Sequence, residues 1–519
     1  MTWEDKLRER FPDKIVNKAL TKKIIRRQLP RFVSEYLLAR YADRGEAEAL
    51  RLVNDIILKH FPEPRHAERV VFDLAQQGSL RLLGFFFGHF DDKINAPLIQ
   101  TPLLGKREMR ISARLPKDYP VLLEGGAWGI AEIHYEPDAE VNGRKIPYFI
   151  SSFAPFQVAR IDVDDYRQAR RFFTSSEWIA VLMSTIGLNP GAYSRQESLY
   201  ILCRFIPLAE PNVNLLELGP RGTGKTYGIR NISPYSFIIS GGKATAAQLF
   251  LDLRSRSVGV IARKDVVVFD EIAYARFDDT RDDVLGILKD YMASGVFSRG
   301  GVEMPSECSI LMVGNTDHGT REVEEKEEVE ELIFDDAVAG VNTPAVDEER
   351  GTVGEHYLFQ ALPMALHDTA LFDRIHGFIP GWRVPKLTAD SFSNGPGFIS
   401  DYFSEILHRL RRDDHTADLR ARLRFSAEGG PLSTRDEEAL LRVLNGLMKL
   451  LYPDGRLEDE ELRELGRLAG ELRTRVVEQQ HHMELVQGGK TVEFPRKRLL
   501  SWVDASCVAG LRATPSNHE

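Results

Sequence analysis

Cysteine is scarce in this chain. Three occur in 519 residues, Cys203, Cys308 and Cys507, far apart and without a CxxC pair. That spacing excludes a disulfide framework and a zinc ribbon, and leaves buried thiols as the expectation. Long apolar runs are missing as well: none approaches the ~20 residues that a bilayer-spanning helix needs. The N-terminus, MTWEDKLRERF, is charged from its fourth residue onward and lacks the apolar stretch of a secretory signal. A cytoplasmic location is the expectation. Nor is there an excess of positive charge, since 68 Lys and Arg against 77 Asp and Glu leave a net charge of −9. A surface coated all over with nucleic acid is thereby disfavoured.

What is present is ample material for a core. Hydrophobic residues make up 43% and charged residues 28% of the chain, the balance of a soluble globular protein. The length suggests roughly three or four domains. Charge is unevenly spread. KIVNKALTKKIIRRQLPR, residues 14–31, carries Lys14, Lys18, Lys22, Lys23, Arg26, Arg27 and Arg31 with no acid among them. Two readings stand for it, an exposed helix face and a phosphate-facing surface. REVEEKEEVEELIFDD, residues 321–336, is strongly acidic and reads as a solvated loop or insertion.

Hydrophobic periodicity divides the chain. Residues 1–77 read as helical, from patterns such as RFVSEYLLARYA and ALRLVNDIILKHF. Residues 78–165 hold short β-rich runs separated by Gly, Pro and Asp turns, which suggests a small barrel, either of the oligonucleotide-binding kind or a plain scaffold. Helical residues then lead into alternating strands and helices over 166–385, an α/β core with a mainly parallel sheet. Residues 386–480 read as a helical lid, and 481–519 as a tail without a clear assignment.

The chemistry concentrates in the α/β core. Gly219, Pro220, Arg221, Gly222, Thr223, Gly224, Lys225 and Thr226 fit GxxxxGK[ST] between a strand and a helix. Glycines let backbone N–H groups curl around a β-phosphate, Lys225 reaches the β/γ-phosphates, and Thr226 ligates Mg²⁺. DVVVFDE, residues 265–271, is a buried-strand run ending in two acids. There Asp270 is expected in the Mg²⁺ shell and Glu271 beside the attacking water. CSILMVGN, residues 308–315, is a further apolar strand whose polar end, Asn315, is suited to position water or γ-phosphate. No Asn-Lys-x-Asp guanine motif is present, so ATP is favoured over GTP. Arg374, in TALFDRIHGFIP, reads as a guanidinium for a neighbouring subunit's ATP or as a structural ion pair. Arg435, in the first turn of a later helix, is a candidate to touch γ-phosphate and report its loss to the lid, with Arg442 a competitor.

P-loop, acid pair, polar strand end, arginine and helical lid follow in the order of AAA+ ATPases. The segments LELGPRGTGKT, ISGGKATAAQLF, DVVVFDEIA, LKDYMASGVFSRG, LFDRIHGFIPGW and LLYPDG resemble the BrxL family, the Lon-like AAA+ ATPases of bacteriophage-exclusion (BREX) islands. The resemblance runs from about residue 10 to about residue 480. It implies a ring-forming ATPase, expected as a hexamer with stacked rings an open alternative, and a core like that of minichromosome-maintenance helicases. Double-stranded DNA and other defence-system proteins are the implied partners, with no membrane. Long family members carry a Lon-type protease domain. After the lid too little sequence remains for one, so peptidase activity is not expected. The segment 319–350 is read as an insertion. GVFSRGGVEMP then resembles a pore hairpin, with Arg299 near its tip following a phosphate backbone and Lys243 a second pore candidate. The rival reading is an ATP-dependent protein unfoldase working with a separate peptidase.

Overall fold

The longer helices that open the chain are α1 Trp3–Arg10, α2 Arg31–Arg40, α3 Glu46–His60 and α4 Ala67–Gln77. A barrel follows, made of β1 Ser79–Asp91, β2 Ala96–Gln100, β3 Glu108–Ile111, β4 Ala127–Tyr135 and β5 Tyr148–Pro155. It closes in the order β1-β2-β3-β5-β4. Strict alternation in β4, where Ala127, Ala131 and Ile133 point inward, is the pattern that a closed barrel demands. Then come α5 Val163–Arg170, α6 Ser175–Thr185 and α7 Arg195–Cys203. Reciprocal side-chain caps, Thr174 with Glu177 and Ser194 with Glu197, start α6 and α7. The computed structural model describes residues 1–25, 29–112, 114–156, 161–241, 243–277, 284–315, 358–428, 431–488 and 498–503. The acidic segment 319–350 lies outside them, as does Cys507.

The centre is a parallel sheet of five strands. They are β6 Asn214–Gly219, β7 Ser236–Ser240, β8 Val266–Asp270, β9 Ser309–Asn315 and β10 Gly377–Pro380. Their order across the sheet is β7-β8-β9-β6-β10. Near-continuous apolar runs such as VVVF and ILMV are what a sheet covered on both faces selects. The helix α8 Tyr227–Ile232 follows β6, and α9 Val284–Ser294 precedes β9. Toward the C-terminus stand α10 Ser400–Leu410, α11 Thr434–Leu451 and α12 Asp459–Gly488. Residues expected as part of the tail contribute the end of α12 and the strand Arg498–Val503, which pairs antiparallel with Leu423–Glu428.

The hydrophobic core crosses the boundaries drawn from sequence. Leu7 and Phe11 from the N-terminus, Trp178 from α6, Phe398 and Tyr402 from the α10 region and Leu447 from α11 belong to one buried cluster. Ile15–Asn17 pairs antiparallel with Pro396–Phe398. Phe398 meets Phe11 edge-on at 4.8 Å and is fully buried. Truncating such a ring to Ala costs about 3–5 kcal/mol, so this seam is a substantial part of the fold.

Within the basic run 14–31, Lys18 and Arg31 are turned inward, while Lys22 and Lys23 are exposed. Lys14 bonds Asp165 at 3.2 Å, and Lys22 bonds Asn394 at 2.9 Å. Lys18 is fully buried, with Nζ 2.8 Å and 2.9 Å from the Glu35 carboxylate oxygens and 2.7 Å from the Phe398 carbonyl. Desolvation pulls its ammonium down to about 8. Arg31 also binds Glu35, at 2.8 Å, and reaches the Tyr227 hydroxyl at 3.2 Å. Arg26 and Arg27 lie outside the described residues. Cys203 and Cys308 are free and buried, and burial raises both thiols, Cys308 to about 12. Among the described residues no helix is long and apolar enough to cross a membrane.

Candidate nucleotide site

Strand register assembles the site. Asn315 of β9 lies opposite Gly219, where β6 enters the glycine loop. On the other side of β9, Phe269 pairs with Met312, so Asp270 and Glu271 emerge at the same carboxyl edge. Because β9 sits between β6 and β8, Asn315 stands between the loop and the acids. In an open α/β sheet this edge is where ligands bind.

The loop has the backbone that phosphate wrapping requires. Gly222 and Gly224 take φ of +92° and +71°, a region that costs other residues strain. Gly219 is held by packing: a Cβ there would come within 2.4 Å of the Gly381 backbone. Residues 381–387 thus roof the loop, and the Leu387 N–H donates to the Gly222 carbonyl at 2.9 Å. Lys225 is folded back, its Nζ 3.0 Å from the Gly219 carbonyl and 2.6 Å from that of Pro220. Pro220 is half-buried, Arg221 is exposed, and Thr226 occupies the residue before α8. Beside Gly224 and Gly228, the side chains of Ile186, Leu188, Phe205, Tyr227 and Leu387 line a small apolar recess.

At the acid pair the backbone itself is unusual. Glu271 adopts φ 54° and ψ 46°, left-handed for a non-glycine residue. Such outliers persist where surrounding structure enforces them, and they cluster at functional sites. Its N–H donates to Asp270 Oδ1 at 3.1 Å. Gly241 makes room for its carboxylate, because a Cβ there would lie 3.1 Å from Glu271 Oε2. Arg230, from α8, approaches Asp270 at 3.5 Å. A carboxylate, a threonine hydroxyl and substrate phosphates are the oxygen donors that Mg²⁺ takes, so Asp270 and Thr226 fit that ion.

The remaining arginines are elsewhere. The Arg374 carbonyl accepts from Asn214 Nδ2 at 3.1 Å, which puts Arg374 at the amino end of β6. The strand from Asn214 to Gly219 spans about 17 Å at ~3.3 Å per residue. Arg435 is ion-paired with Asp373, and Arg442 donates to the Pro211 carbonyl at 3.0 Å, so all three share that far edge. An Arg435 contact to γ-phosphate held by its own subunit's loop does not fit this placement. Arg299 also departs from expectation. It borders the Gly300-Gly301 turn of a hairpin between Val296–Arg299 and Val302–Pro305, but its side chain is buried and bonds the Leu251 carbonyl. The exposed groups there include Val302, Glu303, Ser298, Leu253, Arg254 and Arg256. Lys243 lies in a two-residue strand paired with Arg276–Phe277.

Sequence reasoning missed a buried pair beneath the loop. Arg204 grips Glu217 of β6 with two hydrogen bonds, at 2.9 Å and 2.7 Å, and donates a third to the Thr223 carbonyl at 3.3 Å. The signal was available: Glu217 is the one charge in the strand LLELG.

Residues 148–338 and 337–491 match the family described as Lon-like protease BrxL-like, ATPase domain. Residues 9–135 match the BREX system Lon protease-like protein BrxL N-terminal family. Two similar relatives, each named Lon-like protease BrxL, come from Bacillus cereus (strain H3081.97) and Escherichia coli O9:H4 (strain HS). They are 34% and 32% identical, each over 91% of this chain. The chain spans 66% and 64% of their own lengths. A full-length MCM homolog from Methanopyrus kandleri aligns over 77% of this chain and 78% of its own, with a TM-score of 0.39 and 10% identity, too weak a likeness to carry an argument. With its N-terminal region and its ATPase region both matched, the chain belongs to the BrxL family.

Proposed function

We propose that this chain hydrolyses ATP as one subunit of an AAA+ ring and couples hydrolysis to binding or movement on double-stranded DNA in a BREX-type defence system. The observation that carries the reading is the register that lines up Gly219, Asn315 and Asp270 at one edge of the sheet. Gly222, Gly224 and the loop amides would cradle the phosphates, and Lys225 would exchange the Gly219 and Pro220 carbonyls for γ-phosphate. Thr226 and Asp270 would hold Mg²⁺, which neutralises charge on the phosphates. Glu271 would take a proton from the attacking water, with Asn315 orienting that water.

Arg374 and Arg435 lie on the far edge, where they would serve a site built by two subunits, with the loop from one and the arginines from the next. Such a site would need the ring. One observation favours the rival unfoldase reading. Val302 and Leu253 are exposed beside the hairpin turn, and apolar side chains of this kind grip unfolded polypeptide. Arg254 and Arg256 on the adjoining loop favour phosphate instead.

The deciding test is the ATPase rate with and without duplex DNA, for the wild type and for Glu271→Gln. Stimulation by DNA, with turnover falling about 10²–10⁴-fold in Glu271→Gln, is the expected result. Turnover indifferent to DNA but raised by unfolded protein would overturn the DNA reading in favour of the unfoldase. A Lys225→Ala protein hydrolysing at the wild-type rate would overturn the ATPase reading altogether.

A further inference from the structure

We propose that Arg204 and Glu217 form a positioning pair for the phosphate loop. They hold the Thr223 carbonyl inward so that the next backbone N–H, that of Gly224, faces the phosphate; the inference rests on the nucleotide reading above.

Glu217 occupies an expensive place. It lies in the middle of β6, level with Val313 of β9 and Ile379 of β10, and is fully buried. A carboxylate there is tolerated only when it is paired and hydrogen-bonded. Arg204, at the C-terminal end of α7 and equally hidden, supplies the pairing through the fork of Nε and Nη2. Apolar side chains of similar volume would fill the core at least as well. The ion pair therefore does something that a Met and a Leu would not.

That additional act is the bond from Arg204 Nη1 to the Thr223 carbonyl. Thr223 is itself buried at the middle of the loop. In a trans peptide the carbonyl and the following N–H point in opposite directions, and every described peptide here is trans. Pinning the Thr223 oxygen toward the core thus turns the Gly224 N–H to the opposite side, outward, where a wrapped phosphate accepts it. Gly224, at φ +71°, is the residue able to follow. The same carboxylate lies close under the roof, with no room for a side chain at Gly381: a Cβ there would come 3.0 Å from Glu217 Oε1. Arg204 is buried beneath the loop and reaches it at the Thr223 carbonyl, so it acts through Thr223.

The test uses the full chain, a fluorescent ATP analogue and steady-state turnover. In Arg204→Met/Glu217→Leu the buried charges leave together, so the fold is expected to persist with a thermal midpoint near that of the wild type. Nucleotide affinity should fall about tenfold, the worth of one charge-assisted hydrogen bond. KM should rise in step, with kcat at saturation nearly unchanged. Arg204→Lys keeps the charge balance but offers no planar fork, and should show the same split; it decides the matter if the double variant does not fold. Wild-type affinity in a folded double variant, or in Arg204→Lys, would overturn the inference and leave the pair a core element only. A wild type that binds no nucleotide would overturn the functional reading and this inference with it, so the two failures are distinguishable.

Discussion

Arg435 is ion-paired with Asp373, the residue beside Arg374, at the edge of the sheet away from Lys225. Asp373 also faces Arg473 at 3.4 Å, so one carboxylate organises the approach of two cations. If these arginines complete a neighbour's site, Lys225→Ala and Arg374→Ala proteins should each lose ATPase activity, the latter by about 10³-fold or more. Mixed, they should regain a measurable part of it, because some interfaces then join an intact loop to an intact arginine. Mixing that restores nothing would place Arg374 in a structural role.

The hairpin yields a second expectation. The loop beside it closes with a bridge between Leu251 and Val258, and the Asp252 carboxylate accepts the Arg254 N–H at 2.9 Å. That bond and its neighbours hold the Asp252 carboxyl below its ordinary range, and the loop presents Arg254 and Arg256 to solvent. Replacing both arginines with Ala should weaken DNA binding and lower the slope of log K against log salt by about 2. Arg299→Ala should instead lower stability, by about 1–3 kcal/mol, through the Leu251 carbonyl it leaves unpaired. An unchanged salt slope in the loop variant would remove these arginines from the phosphate path.

Acid should destabilise the chain through His376. Burial, together with the charges of Arg442 and Arg473, depresses its imidazole to about 3, and Nδ1 accepts the Asn214 N–H at 2.8 Å. Between pH ~6.5 and ~3 the unfolded chain binds a proton that the folded chain refuses, so stability falls as pH falls, by up to about 1.4 kcal/mol per unit. Denaturant titrations across this range should show a smaller loss in His376→Asn, which keeps an acceptor but does not titrate. Equal slopes would refute the assignment.

Gly381 lies outside the phosphate motif yet should be nearly as sensitive. A Cβ there would approach the Leu218 carbonyl to 2.6 Å. Gly381→Ala is expected to cost about 1–3 kcal/mol and to loosen nucleotide binding, read by thermal melting and by titration with a labelled nucleotide. Unaltered melting would show that the roof can shift without cost.

Much of the site was readable because its chemistry is local. GPRGTGKT is contiguous, the acids terminate an apolar strand, and Asn315 ends another, so each piece announces itself within eight residues. The barrel was legible for a similar reason, since alternation and turns recur along one stretch. Arg299 was misjudged because its environment is distant in sequence: Leu251 comes from another segment, and no pattern around SRGG reveals it. The inward turn of Lys18 and Arg31 within the run 14–31 was hidden likewise, because the Glu35 carboxylate pairs with both and the distant Phe398 carbonyl accepts from Lys18.

Local propensity and short motifs thus determined which strands and helices this chain forms and where its candidate phosphate loop lies. Hydrogen bonding within a turn and apolar periodicity act over a few residues, and both are written in order along the chain. Strand order and the inward or outward fate of each cation were decided only when distant segments packed. Placing β9 between β6 and β8 joins Asn315 to both halves of the candidate site, and pairing β10 parallel to β6 leaves Arg374, just before β10, at the amino edge. The same packing puts Arg204 under Thr223. Desolvation makes each such placement costly unless a partner arrives from elsewhere, and only the folded chain supplies that partner.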